Sequence, residues 1–145
     1  MKKFNKVVFI CTGNTCRSPM AEAILETYIQ DKSIIVSSRG LMVFGQNPAN
    51  DSAIYVMKEQ GIDIRQHLSK PFDKDELGEN TLVLTMTLRH KTVVTQHGFK
   101  GEVYSIKEFI GEQGDVNDPY GGDLDVYRTC ANELSILIKK LVTKL

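Results

Sequence analysis

The first part of the sequence places a strand, a short polar loop and the start of a helix in immediate succession, and this order constrains the fold most. The apolar run over residues 7–10 is typical of a strand buried on both faces. A loop from Cys11 to Arg17 follows. Ser18 and Pro19 then suit the N-cap and the first position of a helix. Strand, loop and helix in this order predict the opening unit of a parallel sheet, with Cys11 at the carboxyl end of its first strand.

The rest of the chain continues to alternate between the two patterns. Short β-branched or apolar runs predict further strands over residues 34–36, 81–85 and 102–105. Helical spacing and capping residues predict helices from residue 18 to 28, from 50 or 51 to 61, over 73–77, over 87–97 and from 124 onward. The irregular segments 39–48 and 111–122 contain glycine and could border a site. We therefore predict one α/β domain over residues 1–145, a parallel sheet with helices on both faces.

Charge and cysteine content exclude several classes of function. The formal net charge is zero, so no overall field attracts nucleic acid or an anionic membrane. The apolar run near the start is too short for a signal peptide or a membrane span, and we expect a cytoplasmic protein. Its three cysteines form no disulfide framework, and the spacing of Cys11 and Cys16 does not suit zinc. We expect neither a metal nor a cofactor.

The loop carries residues that suit both anion binding and nucleophilic attack. A cysteine at position 11 would face backbone amides and the positive end of a helix dipole, which stabilise a thiolate and bind oxyanions. Arg17 can grip two phosphoryl oxygens. Gly13 permits the amides to converge, and Asn14 tolerates a left-handed conformation and can brace the loop. Ser18 could donate a hydrogen bond to the Cys11 sulfur. A lone cysteine after a strand is otherwise a small buried apolar residue.

Attack by a thiolate on phosphorus expels a poor leaving group, which requires a general acid. Asp118, in the segment over residues 117–122, is our candidate, with Tyr120 as a wall of the pocket. The same segment is also an ordinary turn sequence, because it combines Asp-Pro with Gly-Gly. Spacing alone leaves both interpretations open.

The remaining histidines and cysteines have weaker signals. His67 lies in a loop and could support the active loop through a hydrogen bond, whereas His90 and His97 suit surface or helix-end positions. Cys16 is either a packing residue or a partner that traps an oxidised Cys11 as a disulfide, which would make the protein redox-sensitive. Cys130 fits a position of the last helix that faces the protein core.

Two segments closely resemble the low-molecular-weight protein tyrosine phosphatases: VFICTGNTCRSPMAE from residue 8, and NDPYGGDLDVY from residue 117. The resemblance covers essentially the whole chain. It implies a doubly wound fold with a four-stranded parallel sheet. It also implies that Cys11 is the nucleophile that becomes phosphorylated, that Arg17 binds the phosphate, and that Asp118 is the general acid and then the base. Asn14 and Ser18 would support the loop and the thiolate.

The resemblance also implies a substrate-binding set around these catalytic residues, with His67 as a supporting histidine. That set comprises Thr12, Gly13, Asn14, Thr15, Cys16, Ser18 and Tyr120.

Thr15 refines the substrate. Eukaryotic members of the family usually have a bulky apolar residue here, and CTGNTCRS looks like the bacterial protein arginine phosphatases. A guanidinium requires polar partners, whereas a phosphotyrosine ring gains from an apolar wall. We therefore expect phosphoarginine in proteins as the substrate of a monomer or weak dimer, with phosphotyrosine as the alternative. An arsenate reductase would require relay cysteines, and none lies between Cys16 and Cys130; a non-catalytic phosphate-binding module would not need Cys11, Arg17 and Asp118 together.

Overall fold

A computed structural model describes residues 3–145, so residues 1 and 2 of the predicted domain lie outside the described residues. Its strands are β1 (Lys6–Cys11), β2 (Ile35–Gly40), β3 (Thr81–Thr85) and β4 (Glu102–Ser105). Its helices are α1 (Arg17–Tyr28), α2 (Asp51–Glu59), α3 (Leu88–Gln96), α4 (Ile106–Phe109) and α5 (Leu124–Val142). The predicted α/β class is confirmed.

The four strands form one parallel sheet in the order β2-β1-β3-β4. The chain moves from β1 to one side to make β2 and then to the other side to make β3, so the strand order reverses at β1. In open parallel sheets, ligands bind outside the carboxyl ends of the strands at this point of reversal. Cys11 is the last residue of β1 and lies opposite Gly40, the last residue of β2. The topology therefore places the cysteine loop where a site is expected.

The two faces of β1 are buried under different helices. Val7, Phe9 and Cys11 belong to the main core, together with residues of α1, α2 and α5. Val8 and Ile10 point to the opposite face, which is covered by α3. Alternation of this kind along a fully buried strand explains the continuous apolar run of the sequence, because neither face meets water. It also confirms helices on both faces of the sheet.

The predicted start of α1 is wrong by two residues. The N-cap position is Cys16 rather than Ser18, and Pro19 therefore occupies the third helical position rather than the first. Ser18 does not cap the helix, because its hydroxyl group contacts the Cys11 sulfur and the Asn14 amide instead. A serine that suits an N-cap by sequence is used here inside the loop.

Other boundaries differ where tertiary contacts outweigh local signals. β2 extends through polar residues to Gly40, because pairing with β1 continues to Cys11. The segment predicted as a short helix over 73–77 is a 3₁₀ turn at Lys74–Glu76, and the helix α4 was not predicted. Asn50 caps α2 by accepting a hydrogen bond from Ser52, as one of the two predicted alternatives required. Among the described residues, no helix is long and apolar enough to cross a bilayer.

Candidate active site

The loop between β1 and α1 is held from its outer side through its carbonyl groups. The carbonyl oxygens of Cys11 and Thr12 accept hydrogen bonds from the backbone N–H groups of Leu41 and Met42, at 3.1 and 2.9 Å. The carbonyl oxygen of Thr15 accepts a hydrogen bond from the N–H of Asn50 at 2.8 Å. These donors come from the segment that follows β2 and from the cap of α2. These carbonyl groups therefore point away from the centre of the loop and into the surrounding protein.

The N–H groups of the same loop are left free. Within residues 3–145, the backbone N–H groups of residues 13–16 have no hydrogen-bond acceptor. Asn14 has a φ of 57°, so Asn14 is the left-handed residue that turns the loop. The φ of Gly13 is not positive, so the freedom of glycine to adopt a left-handed conformation is not used there. Successive free amides beside a helix N-terminus form a concavity that binds anions. This loop therefore has the geometry of an oxyanion cradle.

A chain of buried side chains leads from the Cys11 sulfur to the edge of the sheet. Ser18 Oγ lies 2.8 Å from Cys11 Sγ, and Asn14 Nδ2 donates to Ser18 Oγ at 2.8 Å and to Ser38 Oγ at 2.9 Å. Ser38 in turn donates to the carboxylate of Glu22. Because both hydroxyl oxygens accept from Asn14, their own hydrogens are directed away from it, to Glu22 at one end and to Cys11 at the other. The network therefore offers the sulfur a donor, which stabilises a thiolate.

The Asn14 orientation is set from its other side as well. Its side-chain oxygen accepts a hydrogen bond from the N–H of Lys70 at 3.0 Å, and its carbonyl oxygen is 2.7 Å from His67 Nε2. Burial is the largest influence on the pKa of His67 and lowers it, which favours the neutral ring. His67 thus contacts the loop as predicted. The contributions of Ser38, Glu22 and Lys70 were not predicted, because those residues are adjacent to the loop only in the fold.

Arg17 is almost fully enclosed, with 5% of its side chain exposed. Its Nη1 donates to the carbonyl oxygen of Val116 at 2.9 Å, and its Nη2 lies 3.6 Å from a carboxylate oxygen of Asp118. A buried guanidinium needs such partners, because an unpaired charge away from water is costly. These contacts bring the segment over residues 111–122 against the cysteine loop, although the two are about a hundred residues apart in the chain.

Asp118 keeps 54% of its side chain exposed and is oriented by its own turn. Its Oδ1 accepts a hydrogen bond from the N–H of Tyr120 at 3.1 Å, and Gly121 takes the left-handed φ of 84° that closes the turn. A Cβ at Gly122 would lie 2.7 Å from the Val126 side chain, so the second glycine allows α5 to begin close by. The turn interpretation and the catalytic interpretation of this segment are therefore compatible.

One cavity of about 250 Å³ brings most of the predicted site together. It is lined by Cys11, Thr12, Gly13, Thr15, Cys16, Arg17, Asp118 and Tyr120. Asn14 and Ser18, which the sequence placed in the substrate-binding set, are fully buried behind the loop and do not line the cavity. Their position suits support of the loop and the sulfur rather than contact with a substrate.

Of the two positions predicted for His90, surface or helix end, the structure has the helix end, because His90 lies in the first turn of α3 and its N–H donates to Thr87. Only 7% of His90 is exposed, and its Nε2 lies 2.9 Å from the Thr12 hydroxyl oxygen. Burial, and then the charge of Arg17, lowers the pKa of His90 to about 4, so the ring is neutral near pH 7. Among the described residues its buried Nδ1 has no hydrogen-bond partner. We therefore assign the proton to Nε2, which donates to Thr12 and leaves the threonine hydrogen free for the cavity.

The two other cysteines differ in their relation to the cavity. Cys16 lines it, and burial raises the pKa of the Cys16 thiol, whose sulfur lies 3.4 Å from the hydroxyl of the buried Tyr127. Cys130 is buried in α5, as predicted for a core residue, and burial raises the pKa of its thiol to about 12. Within residues 3–145, no group of three or more His, Cys, Asp or Glu side chains is placed to hold a metal ion.

Gly40 is a further residue that the sequence did not reveal. A Cβ at this position would lie 2.6 Å from Val43 Cγ2, 2.8 Å from the Thr12 carbonyl oxygen and 3.0 Å from Asn14 Cβ. The backbone of β2 therefore supports the cysteine loop at a distance that only glycine allows.

Replacing Gly40 by alanine should consequently destabilise the protein by about 1–3 kcal/mol and displace the loop, lowering its catalytic rate. Chemical denaturation and steady-state kinetics measure the two effects. Gly78→Ala is the matched control, because a Cβ there meets nothing within 4 Å. Equal behaviour of the two variants would contradict the proposed support.

The doubly wound sheet, the loop with free amides and the enclosed arginine together define a cysteine-containing, oxyanion-binding α/β protein. A family model of the low molecular weight phosphotyrosine protein phosphatases matches residues 6–145. The chain belongs to this family, as the sequence predicted.

Individual relatives cover nearly all of the chain. A protein-arginine-phosphatase of Geobacillus stearothermophilus is 39% identical over 97% of this chain and 95% of its own length. The crystal structure of a low molecular weight protein tyrosine phosphatase from T. tengcongensis is similar, with a TM-score of 0.90, 43% identity and coverage of 97% and 99% of the two chains. A third match is the YwlE arginine phosphatase in a cysteine-to-serine mutant with a phosphorylated active site serine; its TM-score is 0.88 at 35% identity, covering 97% and 95%.

Proposed function

We propose that this protein removes phosphate from phosphorylated arginine in protein substrates, through a phosphate ester on Cys11. The observation that carries the proposal is the single cavity in which the Cys11 sulfur, the free loop amides, Arg17 and Asp118 meet. Each of these groups supplies a part that phosphoryl transfer requires, namely a nucleophile, a fixed anion cradle, a positive charge and an acid.

The proposed reaction has two steps. In the first, the Cys11 thiolate forms a bond to phosphorus while the bond from phosphorus to the substrate nitrogen breaks, and Asp118 gives its proton to the leaving guanidine. In the second, the Asp118 carboxylate takes a proton from water, which attacks phosphorus and releases inorganic phosphate and the thiolate. The loop amides and Arg17 hold the phosphoryl oxygens throughout, and Ser18 stabilises the thiolate at both ends of the cycle.

Thr15 supports phosphoarginine as the substrate. Thr15 lines the cavity, and its hydroxyl group lies 3.8 Å from Cys16 Sγ. A hydroxyl can accept a hydrogen bond from a guanidinium, and so can the carbonyl oxygen of the protonated Asp118 carboxyl group. The Geobacillus relative named protein-arginine-phosphatase and the YwlE structure support the same substrate class.

Phosphotyrosine is the second candidate substrate. Tyr120 lines the cavity with 75% of its surface exposed, and an exposed aromatic ring could stack on a substrate ring. The relative from T. tengcongensis is named a tyrosine phosphatase. Turnover of a phosphoarginine peptide and a phosphotyrosine peptide of otherwise identical sequence, measured side by side, decides between the two. Equal or greater kcat/KM for phosphotyrosine would overturn the arginine assignment.

Thr15→Ile should shift the preference towards phosphotyrosine by about tenfold or more, because the added apolar bulk replaces a polar partner of the guanidinium. The ratio of kcat/KM for the two peptides is the measurement. Thr15→Val separates the two effects, since valine keeps the shape of threonine and removes only its hydroxyl. We expect Thr15→Val to lose phosphoarginine turnover without a gain on phosphotyrosine. An unchanged ratio in both variants would remove Thr15 as the selector.

We further propose a cytoplasmic protein that acts as a monomer or weak dimer and is sensitive to oxidation. Cys16 shares the cavity with Cys11, so a sulfenic acid formed on Cys11 would have a thiol partner at hand. Condensation of the two would release water and form a disulfide that protects the nucleophile from further oxidation. A reducing cytoplasm would return both thiols.

A further inference from the structure

A second cavity opens directly beside the proposed catalytic one. Its volume is about 450 Å³, and it lies between the segment that follows β2 and one side of α3. The lining residues are Thr12, Leu41, Met42, Arg89, His90, Val93 and His97. Thr12 lines both cavities, so a chain bound with its phosphorylated residue against Cys11 reaches the second cavity across Thr12. We call this second cavity the α3 groove.

The α3 groove combines apolar side chains with basic ones, and none of its lining residues is acidic. Leu41, Met42 and Val93 supply the apolar surface, and 60% of Met42 is exposed. The titratable residues that line the groove are Arg89, His90 and His97, and none is acidic. Because burial keeps His90 neutral, the permanent charge at the groove is the guanidinium of Arg89.

Arg89 differs from the other arginines of this chain. The sequence has five arginines, and Arg17, Arg39, Arg65 and Arg128 each have a carboxylate partner within 4.0 Å. Within residues 3–145, Arg89 has no such partner. An unpaired arginine beside a catalytic cavity is free to bind a carboxylate or phosphate from outside.

The position of Arg89 in its helix is unfavourable for the helix itself. Arg89 lies in the first turn of α3, which carries no acidic residue, and a cation is repelled by the positive end of the helix dipole. The nearby carboxylate of Asp115 accepts a hydrogen bond from the N–H of Leu88 and does not line the groove. Asp115 therefore offsets the dipole at the N-terminus of α3, and the positive charge left at the groove for an anionic ligand is the Arg89 guanidinium.

We propose that the α3 groove binds an acidic side chain close to the phosphorylated residue of the protein substrate. This inference rests on the proposed function, because it assumes that a phosphorylated protein segment occupies the catalytic cavity. The flanking carboxylate would pair with Arg89, and apolar parts of the segment would cover Leu41 and Val93. Because Thr12 lines both cavities, we place this carboxylate next to the phosphorylated residue in the sequence of the substrate.

Two phosphoarginine peptides test this inference. One has glutamate immediately before and immediately after the phosphorylated residue, and the other has lysine at the same two positions. Wild-type protein should show a kcat/KM about tenfold higher for the glutamate peptide at low salt, and the preference should shrink at high salt. Arg89→Glu should abolish or reverse this preference. Lys144→Glu, just beyond the C-terminus of α5, makes the same charge change at a residue that does not line the groove and should leave the preference unchanged.

Two further readouts separate this inference from the proposed function. Turnover of p-nitrophenyl phosphate, which is too small to reach the groove, should be the same for the wild type and Arg89→Glu. Binding of the two peptides to the Cys11→Ser protein, followed by fluorescence anisotropy, reports the groove even if neither peptide is hydrolysed. Absent turnover of both peptides would contradict the proposed function, whereas equal affinity and equal kcat/KM for both would overturn the role of Arg89. An Arg89→Glu variant that loses p-nitrophenyl phosphate turnover would also overturn it.

Discussion

Replacing Cys11 by serine should reduce turnover at least ~10⁴-fold, the largest effect that we expect from a single substitution. A serine hydroxyl is ionised far less readily than a thiol, and the neighbouring Ser18 hydroxyl stabilises an anion without removing a proton. The loop amides and Arg17 remain in place, so the variant should still bind phosphate. Steady-state kinetics measure the loss, and a rise in thermal stability with added phosphate measures the retained binding.

The control for this substitution is Cys130→Ala, since Cys130 is also a buried cysteine but, unlike Cys16, does not line the catalytic cavity. We expect it to keep most of the activity. If the serine is phosphorylated slowly and the phosphate is then not hydrolysed, phosphate stays on the introduced serine. Mass spectrometry of the peptide that contains position 11 would detect it. Activity of the Cys11→Ser protein close to that of the wild type would reject a covalent mechanism through this residue.

Asp118→Asn should slow hydrolysis of substrates with poor leaving groups by about 10²-fold or more and affect p-nitrophenyl phosphate much less. Asparagine has nearly the same shape and still accepts the hydrogen bond from the Tyr120 N–H, so the turn should persist. It cannot donate the proton that the departing guanidine requires. An activated aryl phosphate leaves as a stable anion and needs that proton less.

Asp123→Asn is the matched control for Asp118→Asn. Asp123 caps α5 by accepting a hydrogen bond from the Val126 N–H, and asparagine serves equally well in this position. Its activity should remain near that of the wild type on both substrates. Equal slowing of the two substrates by Asp118→Asn would assign Asp118 a structural role only.

The cysteine loop shows how much of a site can be predicted from residues that are close together in the sequence. The strand before Cys11, the contact between Ser18 and the sulfur, and the left-handed Asn14 were all predicted, and the structure has them. Each of these depends on residues within a few positions of one another, where backbone preferences and side-chain chemistry act directly. Family resemblance supplied Asp118, which spacing alone left open as an ordinary turn residue.

Other parts of the site depended on distant contacts and were missed. The sequence indicated a surface or helix-end position for His90, but it did not reveal that His90 is buried or that it contacts Thr12, which lies 78 positions earlier in the chain. Gly40 and Glu22 show nothing unusual in the sequence, because their importance comes from a close approach and from a serine on another element. Local patterns record the preferences of a residue for its neighbours, and they contain no information about what will pack above it.

The sequence by itself therefore determined the α/β class, the loop that holds Cys11 and Arg17, and the membership of a phosphatase family. Only the tertiary structure decided which groups hold that loop, which predicted residues line the cavity, and where an unpaired Arg89 lies relative to it. The physical reason is the range of the forces. Backbone conformation and hydrogen bonds to near neighbours act along the chain, whereas burial, charge pairing and close packing act between segments that meet only when the sheet has formed.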